Sequence, residues 1–310
     1  MKKQPLLWSL IYMVLLLLTF TPLVLVTINL MMIPLVVLFV QLDWKRFLVH
    51  NVVVLLAVYA ISFVFGVSSL GTVAAILFLF FLIPSVVMGT LYKRKATARS
   101  VLTGGFVAML VQLLVLLLIL TVSGYHVINE MRDYMRSSLD TLPAELKSVV
   151  PTEMLDQILQ VMTQLLPLYL IGFSLYYSIV THWLSRKALL RAGVAVAGFK
   201  RAKDWMLPRS LIWYYLAALV LSYVFTEPDD SMIFMILLNI MPLMMFAFAV
   251  QAFGFLFFLA DIRGWPKALP RVLTVVGIFV LLFIPMLMQL VSLLGLFDVA
   301  FPIRERFKKT

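Results

Sequence analysis

The sequence predicts an all-α fold: a polytopic integral membrane protein of about eight or nine transmembrane helices with an outer amphipathic helical segment. Three observations predict it. First, 64% of the 310 residues are hydrophobic and only 13% are charged, against roughly 25% charge in ordinary soluble domains. Second, the charged residues fall between long apolar runs. A charge at the bilayer centre costs about 2.5–3.5 kcal/mol or more on insertion scales, so charges mark where a chain leaves lipid. Third, the apolar runs have the length of bilayer spans, about 20 residues at 1.5 Å each.

The runs are residues 6–21, 23–41, 48–66, 70–92, 101–122, 163–184, 210–226, 231–260 and 271–297. Met1-Lys2-Lys3 followed by Leu6 to Phe20 has the look of a signal peptide. No small-residue cleavage site follows, and a second apolar run begins at once, so a retained first helix is expected. Pro22 separates the first two runs and predicts a tight helical hairpin there. Gly66 and Gly71 bracket a turn, and Gly104-Gly105 allow close helix approach in the fifth run. The run 231–260 is longer than the roughly 30 Å hydrocarbon core, and Pro242 is the expected break.

The connections sort by sign. Lys45-Arg46, Lys93 to Arg99, Arg186 to Arg209 and Arg263 to Arg271 carry sixteen basic residues and three acids, Asp43, Asp204 and Asp261. The alternating connections carry nine acids and three bases. Basic loops stay in the cytoplasm, so the first set is expected inside and residues 123–162 outside. Trp44, Trp183, Trp205, Trp213 and Trp265 lie near the inner boundaries, as interfacial anchors do. The same clustering explains the net charge of +11 without nucleic acid as a partner. The bilayer itself is the partner that composition dictates.

The outer segment 123–162 is amphipathic in two stretches. Val127, Met131, Tyr134, Met135 and Leu139 oppose Glu130, Arg132, Asp133 and Arg136. After Pro143 and Pro151, Leu155, Ile158, Leu159 and Met162 repeat the pattern, with Glu153 and Asp156 at the positive end of a helix. The expected division of the chain is therefore a membrane core over 1–184 that includes 123–162, a basic cytoplasmic loop over 185–209, and C-terminal helices with a basic tail over 210–310. Within the inner loop, Arg186, Lys187, Arg191, Lys200, Arg201 and Lys203 form the basic patch, suited to anionic headgroups or to a cytosolic protein.

The tail sets two rules against each other. Crossing counts from Lys45-Arg46 put Asp298 to Thr310 outside, whereas Arg304, Arg306, Lys308 and Lys309 favour the cytoplasm. A hairpin at Pro285 reconciles them, but residues 272–284 and 286–297 are each short of the roughly 17 needed to span. A single crossing with an outside tail is the expectation.

Catalytic, cofactor and metal signatures are missing. There is no cysteine, no phosphate-binding Gly-rich loop and no Gly-x-Ser-x-Gly elbow. His50, His126 and His182 are scattered and read as boundary residues rather than ligands. A non-enzyme without cofactor is expected. What remains is uncharged polarity inside the apolar runs, above all Asn29, Gln112, Asn239 and Gln251. Such amides in lipid bond to neighbouring helices or contact a ligand. Asn29 stands out because it precedes Pro34 in a helix that Pro34 interrupts.

The hairpin ending Met32-Ile33-Pro34-Leu35, the Lys93-Arg94-Lys95 turn, and Leu294-Gly295-Leu296-Phe297-Asp298 followed by Arg304 resemble the YybS-like family of predicted membrane proteins of Gram-positive bacteria. The resemblance runs over the whole chain and implies a bacterial cytoplasmic membrane protein of uncharacterised activity. That family is similar, over its amino-terminal helices, to the S-components of energy-coupling-factor transporters, and by analogy to the cell-shape protein MreD. Fold analogy does not fix activity, and two readings stand. One is a solute-binding or transport-related protein whose S-component-like core takes a neutral small solute. The alternative is a non-transporting scaffold that recruits other membrane, cell-envelope or signalling proteins. S-components carry small residues on the first helix for docking, whereas Leu6 to Phe20 has neither alanine nor glycine. A polar-lined cavity favours the first reading, and a packed core the second.

Overall fold

A computed structural model describes residues 4–141, 152–225, 232–301 and 303–307. Glu145, Glu227, Asp229, Asp230, Pro143, Pro151, Lys308 and Lys309 lie outside these residues. Among the described residues every regular element is helical. Among the described residues five helices are long and apolar enough to cross a membrane: Val24–Gln41, Trp44–Val64, Ser69–Lys93, Ala98–Val122 and Met232–Ile262. A sixth candidate is the pair Asp156–Gln164 and Leu166–Arg191, bent by 56°. Shorter apolar helices cover Gln4–Phe20, Ser210–Val224, Ala268–Phe283 and Leu287–Ala300. The helical membrane class holds, with five or six helices of spanning length and these shorter ones beside them.

The residues pack as two compact units, Met1–Asp133 with Leu170–Phe199, and Tyr134–Tyr169 with Lys200–Thr310. The first unit contains α1 (Gln4–Leu17), α2 (Val24–Leu30), α3 (Met32–Gln41), α4 (Trp44–Val64), α5 (Ser68–Lys93) and α6 (Ala98–Val122). It also holds most of α9 (Leu166–Arg191). Its centre is α3, where Met32 to Phe39 are all buried. A helix that is apolar on every side belongs inside a bundle. The outer helices are buried on one stripe only. In α4 that stripe is Phe47, Asn51, Val54, Val58 and Ser62, while Val49, Val53, Leu56 and Phe63 are exposed as lipid-facing side chains. Glycine sets two close approaches. A Cβ on Gly89 would meet the Phe39 ring at 2.5 Å, and one on Gly105 would meet Met88 Sδ at 2.8 Å and Ser178 Oγ at 3.3 Å.

Pro34 has no N–H to give to the turn before it, and the chain divides into α2 and α3 at Met31. The Tyr177 hydroxyl donates to the Ile28 carbonyl at this division, 3.2 Å away. The expected loop sorting appears within this unit as shared helix ends: Lys93 Nζ donates to Leu42 O at 2.8 Å, and Tyr92 meets His182.

The second unit contains α8 (Thr152–Gln164), α10 (Ser210–Val224), α11 (Met232–Ile262), α12 (Ala268–Phe283), α13 (Leu287–Ala300) and α14 (Ile303–Phe307). The amphipathic pattern of the outer segment does form helices, α7 (Val127–Asp140) and α8, and Arg136 lies 3.6 Å from Asp156 across them. Pro242 does not break α11, which runs unbroken over 31 residues. Proline removes one backbone bond, and the neighbouring turns of this long helix carry it through.

The single crossing expected for 271–297 is overturned. The chain turns at Ile284, Pro285 and Met286 between α12 and α13. A short connection at residues 263–267 returns α12 antiparallel along α11, with Gly277 against the Phe253 ring. Along α13, Gly295 meets Phe248 and Ala252, Asp298 meets Gln251, and Arg304 lies over Phe258. Numbers rise together on both helices, so α13 runs parallel to α11. The hairpin gains helix at both ends relative to the apolar run, at residues 268–270 and 298–300. Its turn is bonded locally, through Ile284 N to Val280 O, Leu287 N to Ile284 O and Met288 N to Pro285 O. The tail therefore returns to the end where Lys203 lies.

Candidate functional sites at the basic helix ends

The basic residues expected in one loop divide between helix and loop. Helix α9 continues to Arg191, so Arg186, Lys187 and Arg191 are helical and belong to the first unit. Lys200, Arg201 and Lys203 belong to the second.

In the first unit, one face of α9 carries buried Ser174, Tyr177, Ser178, Thr181, His182 and Ser185. Three- and four-residue steps put them on one stripe. Small hydroxyl side chains allow helices to approach closely and return their protons to their own backbone. Ser174 Oγ donates to Leu170 O at 2.7 Å, and Ser178 Oγ donates to Ser174 O at 2.8 Å. His182 is fully buried. Its Nδ1 shares a 2.7 Å hydrogen bond with the Tyr92 hydroxyl, and its ring meets the edge of Phe199 at 4.5 Å. His50 is engaged too, through Nδ1 and Ser9 Oγ at 2.9 Å. Arg186 straps down the chain after α9. Its Nε donates to Val196 O at 3.2 Å, and its guanidinium occupies the space a Cβ on Gly198 would need. Lys187 lies over the Trp183 ring, 3.4 Å from its centroid.

Asn29, the amide expected to line an outward cavity, donates Nδ2 to Leu25 O within its own helix. Three clefts among the described residues of this unit are lined by other side chains. Gln112 is half-buried on α6 and likewise lines none of these clefts.

In the second unit the two remaining amides hold helices together. Asn239 Oδ1 accepts from Leu168 N at 2.9 Å, and its Nδ2 donates to Gln164 O and to Met235 O, both at 2.8 Å. These partners flank the bend between α8 and α9, where helix ends leave backbone groups unpaired. Gln251 Oε1 accepts from Leu207 N at 3.0 Å, while its Nε2 donates to Asp298 Oδ2 at 2.6 Å.

Asp298 was missed in the sequence as a site. Its side chain is wholly buried, and Arg304, nearly so, donates from Nε to Oδ1 at 2.9 Å and from Nη2 to Oδ2. Nη1 of Arg304 donates to Lys203 O at 2.7 Å, and the guanidinium lies 5.0 Å from the Phe258 ring centroid. Lys203 Nζ in turn pairs with Asp261 at 2.6 Å. The planar guanidinium satisfies a carboxylate with two bonds and a carbonyl with a third, which an ammonium point charge does not match. An acid at the end of an apolar run with an arginine six residues on was the available signal. Among the described residues, the buried hydroxyl and ring atoms Tyr12 Oη, Ser85 Oγ, Ser185 Oγ and His182 Nε2 have no hydrogen-bond partner.

Comparison with known proteins agrees with this architecture. Residues 9–299 match the family model described as predicted membrane protein DUF2232. The chain is 24% identical over 230 residues to uncharacterized protein YybS of Bacillus subtilis (strain 168), covering 72% of this chain and 73% of that protein. No solved structure matches. An all-helical chain with several apolar spans, matched over nearly its whole length, belongs to the DUF2232 family of predicted membrane proteins.

Proposed function

We propose that this integral membrane protein is a non-transporting, non-enzymatic scaffold of the bacterial cytoplasmic membrane, which recruits other proteins through its basic, cytoplasmic ends. One observation carries the reading: the intramembrane charged pair and three of the four candidate amides are engaged within the chain. Gln251 and Arg304 enclose the Asp298 carboxylate, Asn239 splices a helix bend, and Asn29 bonds its own helix. A solute carrier needs convergent polar groups facing a cavity. By contrast Lys200 and Arg201 are exposed, in a segment tied down at Lys203, Trp205 and Leu207. Cations on a fixed segment suit an acidic protein surface, since charge complementarity steers association and sets specificity.

The test is photo-crosslinking in living cells, with a photoreactive residue at Arg201 or, as the outer control, at Tyr125. The scaffold reading expects a discrete protein adduct at Arg201 and none at Tyr125. A small solute retained at one per chain through purification, with no adduct at Arg201, would replace it with the solute-binding reading.

A further inference from the structure

We propose that a cleft between α1 and α9 in the first unit binds one anionic phospholipid from the leaflet at the basic end. The cleft encloses about 660 Å³, within the roughly 300–1,000 Å³ of small-molecule sites. Its α1 wall runs from Gln4 to Leu15, and its α9 wall carries Leu184, Lys187 and Arg191. The division between α2 and α3 at Met31 brings Ile33 and Pro34 into the lining.

Two features select the occupant. The first is depth: eleven helical steps from Gln4 to Leu15 span about 16 Å, close to half of a hydrocarbon core about 30 Å thick. The cleft is one leaflet deep. The second is charge. Lys187 and Arg191 line it, while the rest of its wall is mainly apolar. Arg186, one residue earlier, is committed to Val196 O. Lys187 is oriented by the Trp183 ring, and neither Lys187 nor Arg191 forms an ion pair among the described residues. Two cations without an ion-pair partner among the described residues, beside an apolar slot, complement a phosphodiester that carries acyl chains. A neutral solute would leave the cations unused, and a soluble phosphate would leave the apolar wall unused. The proposal does not depend on the scaffold reading, because a bound structural lipid is compatible with either function.

Native mass spectrometry of the full chain in neutral detergent provides the test, with dioleoyl phosphatidylglycerol and dioleoyl phosphatidylcholine as probes. The expected result is one phosphatidylglycerol retained per chain, roughly tenfold in preference to phosphatidylcholine, from two cations near a phosphate. Lys187→Gln with Arg191→Gln should remove the preference, and Lys45→Gln, a basic change outside the cleft, should leave it intact. Ile11→Trp, which fills the apolar slot, should reduce retention of both lipids. Should the double variant fail to fold, the two single variants must each lower the preference. Equal retention of the two lipids, an unchanged preference in the cation variants, or displacement by glycerol 3-phosphate would each overturn the proposal.

Discussion

In the first unit the buried polar side chains are neutral and mostly small. Ser174 and Ser178 return their protons to the backbone of α9, and the Tyr92 hydroxyl meets His182. In the second unit the buried set includes a carboxylate and a guanidinium, with Gln251 and the Lys203 carbonyl completing their bonds. Neutral groups that bond their own helix leave that helix's partners replaceable. The charged cluster ties α11, α13, α14 and the segment near Lys203 into one mutually dependent set, since removing any member strands a charge. The second unit should therefore be the more brittle of the two.

The largest effect that would break this comparison lies at Asp298. Asp298→Ala leaves Arg304 buried and uncompensated, so a loss of about 3–5 kcal/mol is expected, measured as unfolding free energy in detergent. Asp298→Leu with Arg304→Met should recover more than half of it, because a buried pair is often replaceable by apolar groups. Next comes Gly295→Ala. An added Cβ would sit 1.8 Å from Phe248 O, forcing α13 away from α11 at a cost of about 1–3 kcal/mol or more. Thermal unfolding reads it directly. Asn239→Leu follows: it strands Leu168 N and Gln164 O at the helix bend, for roughly 0.6–2 kcal/mol. The first unit should respond least. Tyr177→Phe removes one hydroxyl bond and should cost about 0.6 kcal/mol. A larger loss at Tyr177 than at Asn239 would reverse the ranking of the units.

Much of the fold was legible because bilayer physics acts on single residues. Apolar run length gave the long helices, and charge sign gave loops that share an end within each unit, as Lys93 with Leu42 and Lys203 with Asp261. The alternating faces of 127–140 and 152–164 gave two amphipathic helices. Helix pairing was not legible. Asn239 and Gln251 were recognisable as intramembrane amides, but their partners lie 71–75 and 44–47 residues away in sequence. The turn at Pro285 escaped for a different reason. Length rules reject each half as a span, and the helices themselves, at 16 and 14 residues, remain shorter than the roughly 17 that spanning takes. What those rules do not see is the packing of a short hairpin against α11. The helices extend past the apolar run through Ala268 and Asp298, a charge made tolerable only by Arg304 and Gln251. Those contacts hold the end of α13 against α11 and the tail beside Lys203.

Cysteine accessibility tests the return of the tail to the end where Lys203 lies. The chain has no native cysteine, so Ala202→Cys and Thr310→Cys report cleanly with a membrane-impermeant maleimide. Both positions should be silent in intact cells and labelled after permeabilisation. Labelling of Thr310→Cys in intact cells, with Ala202→Cys still protected, would mean that α12 and α13 cross the membrane once, contradicting the hairpin and the Asp298–Arg304 clasp on Lys203.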